Sequence, residues 1–378
     1  LKIAFIAYAV AEDGGIEKVV YQLAAAASRR GHQVWVVAAR YPEAGIQGVT
    51  WMPVFLPRLP WALRQWAFAL ASRLALRGKD FDLLHASAPT FAPAEVAVAH
   101  SVHAFGAALV RSGIPSRWGR VWDWIKTLSP LTNWLSGINY RSPRLKVAVA
   151  ISATVKAELE ALYPHLSGRI QVIPNGVDLA RYRPLPLAKR QKARKALEFE
   201  PGDLVVAFVA RQFMQKGLEP LLRALALLPK KFKLLVAGAN VDPLPESYYH
   251  RVVRELGLEA RVRFLGQVQD SRKVFQVADV LVHPVLYEAF GLVLLEAFAC
   301  SIPVLATQVG GPSELVIQGV NGAFIERDAA SIAAALRRWI LNPALRRGLN
   351  RGALKTARHF RWSRSLEAHM KLCRSLAP

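Results

Sequence analysis

Seven residues separate Glu288 from Glu296 in a segment that otherwise reads as one buried helix. Glu296 is the only charged residue between Glu288 and Glu314, flanked by the apolar residues 292–295 and 297–300. A carboxylate in such surroundings is costly unless hydrogen bonds reach it. Ribose hydroxyls would supply them; an Arg brought in from elsewhere in the chain is the structural alternative. Glu288 stands before the helix, in a loop at the end of the strand expected over Val280–His283, where open α/β sheets place ligand-binding groups. The amides of Phe290, Gly291, Leu292 and Val293 would open the helix toward a ligand, and Gly291 lets it approach the backbone closely.

A second cluster, Arg211-Gln-Phe-Met-Gln-Lys-Gly217, also follows an apolar run. A strand leading into a basic loop and a helix start suits a pyrophosphate, although a solvated basic loop is the commoner origin of such charges. Near the start of the chain, Asp13-Gly-Gly-Ile-Glu17 places Gly14 and Gly15 between strand and helix. Their amides would face an anion, or the pair forms an ordinary tight turn. The three spaced glycines of the dinucleotide fingerprint are not there. His100 and His103 close the run 96–101, as site groups or as histidines satisfied in a core. Asp80 and Asp82 precede a strand rather than follow one and read as a solvated loop.

The elements that hold these residues repeat one rhythm. Residues 2–10, 33–39, 81–87, 96–101, 146–152 and 170–174 read as strands, with a helix over 16–30 ended by Gly31. A second series, 204–210, 232–238, 262–266, 280–283, 303–307 and 323–326, alternates with helices near 218–228, 271–278, 291–300 and 329–341. Strands separated by helices imply right-handed βαβ units and parallel sheets. The proline-rich stretch 174–186 suits a linker. The fold class expected is α/β, two Rossmann-like doubly wound domains facing across a cleft and binding ligand at the carboxyl ends of their strands.

The Glu-x7-Glu pattern of Glu288 and Glu296, with the neighbouring Ala278-Asp-Val-Leu-Val-His-Pro284 and Ser301-Ile-Pro-Val-Leu-Ala306, resembles the retaining GT-B glycosyltransferases, particularly family 4. The chain is also similar to lipopolysaccharide core glucosyltransferases. The resemblance implies that Arg211 and Lys216 stabilise a departing diphosphate and that Glu288 and His100 lie at the transferred sugar, with His103 in reserve. By the same likeness Glu296 takes the ribose, Gly14 and Gly15 lie near donor phosphates and acceptor, and backbone around Gly266, Gln267 and Val268 receives the base. The domains expected are an acceptor-binding domain over 1–178, onto which a last helix (358–378) crosses back, and a nucleotide-sugar domain over 179–357. No cofactor and no metal ion are expected, and a UDP-linked hexose is the favoured donor, with GDP-mannose open.

Composition bounds the partners. A formal charge of +23 predicts attraction to something anionic. Eight of the ten tryptophans precede residue 150: Trp35, Trp51, Trp61, Trp66, Trp118, Trp122, Trp124 and Trp134. Several are interleaved with Arg58, Arg64, Arg73, Arg77, Arg117, Arg120 and Lys126. That mixture suits an amphipathic helix at an anionic bilayer, or tryptophans packing the core of a helical insertion. Cys300 and Cys373 make no disulfide framework, and neither an export leader nor a membrane span is visible. The expectation is a cytoplasmic protein, peripheral at the inner face of the cytoplasmic membrane, with a glycan or lipid-linked acceptor and no nucleic acid. Two rivals stay open: an epimerase or phosphorylase of the same fold, and a non-enzymatic basic protein binding nucleic acid or membrane.

Overall fold

The computed structural model describes residues 1–12, 14–102, 129–240, 244–268 and 270–377. The chain forms two compact units, one of Leu1–Asn175 with Ser363–Pro378, the other of Gly176–Trp362.

In the first unit, seven strands form one parallel sheet: β1 (Lys2–Ile6), β2 (Gln33–Ala38), β3 (Val49–Pro53), β4 (Leu83–Ala86), β5 (Val96–Ala99), β6 (Val147–Ala150) and β7 (Ile170–Val172). Their order is β3-β2-β1-β4-β5-β6-β7. Ile3 of β1 pairs with Val34 on one side and Leu83 on the other, so the winding reverses between β1 and β4. Apolar residues on both faces of β1 are buried because helices cover the sheet on two sides. The helix Ile16–Arg29 buries Val19, Val20, Leu23, Ala24 and Ala27 along one stripe. The last helix, Trp362–Leu376, brings His369 within 5.7 Å of His85 on β4, centroid to centroid.

The second unit carries six parallel strands: β8 (Leu204–Val209), β9 (Phe232–Ala237), β10 (Val262–Phe264), β11 (Val280–His283), β12 (Val304–Ala306) and β13 (Gly322–Phe324). The order is β10-β9-β8-β11-β12-β13, with the reversal between β8 and β11. The helix Leu218–Ala226 buries Leu218, Leu221, Leu222 and Leu225, each contributing about 2 kcal/mol by leaving water. At the other end of the central strands, Asp279 accepts from Arg190 at 2.9 Å, Arg194 at 3.2 Å and the Val205 amide at 2.8 Å. That buried acid ties the linker-following helix Leu187–Ala196 to β8 and β11.

Several expectations are corrected. The strand β3 lies at the sheet edge with residues 50, 51 and 53 exposed, so it lacks the apolar run that marks a buried strand. The first strand stops at Ile6, and only an isolated bridge, Ala9 to Arg40, continues the pairing. The helix predicted to 341 is α-helical only to Ala335 and continues as a π turn, Leu336–Ile340.

Tryptophan placement is mixed: Trp51, Trp61 and Trp134 are exposed, whereas Trp35 and Trp66 are half-buried against other rings. Trp66 stacks on Trp134 at 5.3 Å, and Trp35 packs edge-on to Phe81 at 5.2 Å. On the helix Trp61–Leu76, the exposed apolar face is carried by Leu63, Leu70 and Leu74, with Trp61 at its start. Trp118, Trp122, Trp124, Arg117, Arg120 and Lys126 lie outside the described residues. No helix among the described residues is long and apolar enough to cross a membrane.

Candidate active site

The segments after β8 and β11 leave the sheet on either side of the winding reversal, so their first residues share the crevice that such a reversal opens. After β8, a short helix, Phe213–Lys216, ends at Gly217, whose φ is 82°. A Cβ there would come within 2.2 Å of the Pro284 carbonyl oxygen, so only glycine lets the two loops touch. Lys216 thereby reaches across: its Nζ donates to Glu288 Oε2 at 2.9 Å and to the Tyr287 carbonyl at 3.2 Å. His283, the last residue of β11, lies with Nε2 3.3 Å from the same carboxylate oxygen. Because a carboxylate only accepts, Nε2 carries the proton.

Electrostatics at this cluster favour the ion pair. Burial by itself would raise the Glu288 carboxyl, but the Lys216 ammonium and the His283 hydrogen bond outweigh it and hold the pKa well below the usual carboxylate range. His283 is moved down in turn, chiefly by burial. The loop is braced from a third side. A Cβ at Gly310, whose φ is 47°, would meet the Glu288 carbonyl oxygen at 2.1 Å, and the Gly311 amide donates to that carbonyl at 2.8 Å. Arg327 donates to the Pro284 carbonyl at 3.0 Å and also to the Met214 carbonyl, stapling the two loops together.

Glu296 sits one turn into the helix Leu292–Ala299, which begins at Gly291 with φ 96°. Ser271 Oγ donates to its Oε2 at 3.1 Å, and the Tyr182 hydroxyl lies 2.9 Å from that same Oγ. Burial, followed by the Glu296 charge, raises the Tyr182 phenol, so it stays a neutral donor. Hydroxyls thus already surround the carboxylate, the chemistry expected of a ribose. The amides at the start of this helix, among them Leu292 and Val293, have no carbonyl within their own helix to bond; Phe290 is buried and Leu292 and Val293 are half-buried. Arg211 is exposed and, among the described residues, has no hydrogen-bond or ion-pair partner. Gly266 follows β10 with φ 58°, its carbonyl accepting from the Gly238 amide at 2.8 Å; Gln267 beside it is exposed and Val268 half-buried.

In the first unit, Gly14 (φ 106°) and Gly15 end the loop that leads from β1 to the helix Ile16–Arg29, at that sheet's own reversal. His100 follows β5 at the wall of a cavity of about 280 Å³ that Trp61, Gln65, Thr132 and Asn139 also line. Its Nε2 is enclosed and, among the described residues, without a partner. Burial, then the neighbouring His85, push its pKa down to about 3, so the ring is neutral. His103 lies outside the described residues, as does Asp13. Thus the second unit gathers Lys216 and Glu288 into one contact and brackets Glu296 with hydroxyls. His283, Tyr182, Ser271 and Arg327 were not anticipated: each is an ordinary residue type at an ordinary position, and only the tertiary contact reveals it.

Both units match known families. The family Glycosyltransferase Family 4 matches residues 13–181, and Glycosyl transferases group 1 matches 189–356. A D-inositol 3-phosphate glycosyltransferase of Saccharomonospora viridis is 36% identical over 246 residues, 60% of this chain and 56% of that protein. One from Catenulispora acidiphila is 34% identical over 56% of this chain and 52% of its own length. The chain therefore spans about half the length of the curated relatives it matches. Among solved structures, WaaG, a glycosyltransferase involved in lipopolysaccharide biosynthesis, superposes with a TM-score of 0.84 at 20% identity, covering 98% of this chain and 99% of WaaG. The Anabaena HepE protein in complex with UDP-glucose gives 0.75 at 21% identity over 99% of both chains. With one family matched on each unit and the fold matched along nearly its whole length, the chain belongs to the GT-B glycosyltransferases of family 4.

Proposed function

We propose that the chain is a retaining, metal-independent hexosyltransferase that uses a nucleotide-sugar, with UDP favoured, and needs no cofactor. The observation that carries this reading is the Lys216–Glu288 contact at the β8/β11 reversal, 2.9 Å long, with Arg211, unpartnered among the described residues, beside the same loop. Glu296, with Tyr182 and Ser271, would exchange hydrogen bonds with ribose hydroxyls, and backbone at Gly266, Gln267 and Val268 would receive the base. When the bond between the sugar's anomeric carbon and the diphosphate oxygen breaks, its electron pair goes to the diphosphate. Arg211 and Lys216 neutralise that growing charge, the largest kind of contribution a preorganised site makes. The acceptor hydroxyl attacks from the same face and passes its proton to the departing phosphate oxygen. Glu288 and the Phe290, Gly291 amides hold the sugar hydroxyls, while the neutral His100 ring and the amides of Gly14 and Gly15 act from the first unit.

The acceptor proposed first is a lipid-linked or lipopolysaccharide-type glycan, met at the inner face of the cytoplasmic membrane. Support comes from the likeness to WaaG, the exposed Leu63, Leu70 and Leu74 face and the net charge of +23. An inositol phosphate is the second reading, favoured by the names of the curated relatives. Calorimetric titration with UDP and GDP, wild type against Glu296→Ala, tests the donor site. One nucleotide should bind, and the substitution should weaken it at least tenfold; no binding of either by folded protein overturns the reading. Turnover should survive EDTA, and product analysis with each acceptor decides between the two classes.

A further inference from the structure

The first unit has a second cavity, of about 630 Å³, at the opposite end of its sheet from His100. Its walls come from chain that enters strands rather than leaves them. Asp80 and Phe81 precede β4, Glu95 precedes β5, and Arg144 precedes β6. Arg73, Arg77 and Lys79 enter it from the end of the helix Trp61–Leu76 and the turn after it. None of these four cations has a hydrogen-bond or ion-pair partner among the described residues. Of the two acids in the wall, Glu95 is engaged, its Oε2 accepting from the Leu84 amide at 2.8 Å, whereas Asp80 stands out in solvent, 4.0 Å from Lys2 Nζ. A chain of charge +23 scatters cations widely. Here two separate segments, 73–79 and the one carrying Arg144, bring theirs to one concavity whose remaining lining, including Leu76 and Phe81, is apolar.

The same helix exposes Leu74, which itself lines the cavity, and Leu70 one turn before it, at 57% and 53% of their surface. Positions 70, 73, 74 and 77 fall within one helical face. Cations that converge, apolar walls and exposed leucines alongside match one chemistry: a phosphate held next to hydrocarbon.

We propose that the Arg73, Arg77, Lys79 and Arg144 cavity is a headgroup site for an anionic phospholipid, seated while Leu70 and Leu74 enter the bilayer. It rests on the membrane reading above and adds a discrete site to it. By this assignment the catalytic ends of β1, β4 and β5 lie at the end of the sheet away from the lipid contact.

The experiment compares flotation of the full chain with vesicles of phosphatidylcholine, with and without phosphatidylglycerol. Three proteins are used: wild type, a pocket triple (Arg73→Gln, Arg77→Gln, Arg144→Gln), and a control triple on an exposed helix of the second unit (Lys189→Gln, Lys192→Gln, Lys195→Gln). Both triples remove the same charge. The pocket triple should lose roughly 100-fold in affinity for the anionic vesicles, the control less than threefold, while UDP binding stays equal in all three. If wild type ignores anionic vesicles, the membrane reading fails and the site with it. If wild type binds and the two triples fall equally, membrane contact stands and the discrete site is refuted. If soluble glycerol phosphate binds wild type and is lost in the pocket triple while vesicles are ignored, the site serves a soluble phosphoanion and the lipid assignment is overturned.

Discussion

Lys216 and Glu288 offer a test of whether the two loops are held together by charge. Their atoms are 2.9 Å apart, with 16% and 18% of the side chains exposed. At an effective dielectric constant of about 20, the raw attraction is about 6 kcal/mol. Desolvation of both groups offsets part of it, and removing one member of such a pair costs about 3 kcal/mol, because the other is left partly buried and unpaired. Lys216→Met and Glu288→Gln should each lower local stability by that amount, and the double variant should lose about 2 kcal/mol less than their sum. Hydrogen exchange at the amides of β8 and β11 reads this locally, so that a two-unit chain need not unfold as one. The pH dependence has a definite sign. The folded Glu288 pKa lies below its ordinary 4.5, so its contribution is present above that value and is lost as the pH falls. In Lys216→Met, burial is opposed only by His283, and the gap from wild type should narrow as the pH is lowered through about 4.5. Strict additivity of the two substitutions, or a gap indifferent to pH, would refute the ion-pair account.

Asp279→Asn should cost about 3 kcal/mol, measured by denaturant unfolding, because it leaves Arg194 and Arg190 facing a neutral amide. Gly217→Ala should abolish turnover while the sheet remains folded by circular dichroism, since a Cβ 2.2 Å from the Pro284 carbonyl drives the two loops apart. Arg327→Lys should keep the charge but lose one of the two carbonyl contacts, lowering kcat by at least tenfold with nucleotide affinity little changed. His85 is fully buried, and burial lowers its pKa to about 4. The unfolded chain therefore binds the extra proton below pH about 6.5, and His85 alone should cost the first unit about 3 kcal/mol between there and pH 4, with the buried His100 and His369 adding to the loss. Tryptophan fluorescence, which reports mainly on that unit, should show the loss in wild type and a smaller one in His85→Leu.

The Glu288 and Glu296 helix was legible because its composition is extreme: one acid among eight apolar neighbours has few explanations. Parallel strands buried on both faces were equally plain, since β8 is an unbroken apolar run and β11 is one up to its last residue, His283. The edge strand β3 was not, because three of its five residues face water and its pattern carries no period. Arg327 was invisible for a different reason. Its contacts are with the carbonyls of Pro284 and Met214, and backbone acceptors leave no mark on the sequence that presents them. Tyr182 belongs with it: a lone aromatic in a proline-rich linker gives no hint that Ser271 lies 2.9 Å away.

The same contrast explains how the site is built. Residues that would touch the donor, Arg211, Lys216, Glu288 and Glu296, are charged and stand directly after strands or at a helix start, so chemistry and position coincide in the sequence. Those that hold them do so through glycines and carbonyls. Gly217 against Pro284, Gly310 against Glu288 and Arg327 across both loops fix backbone to backbone. A loop held this way cannot relax to recover a lost contact, because neither a Cβ-free approach nor a two-carbonyl staple has a substitute. Substitutions at the holding residues should therefore damage turnover as severely as those at Glu288, while leaving the charges of the site in place.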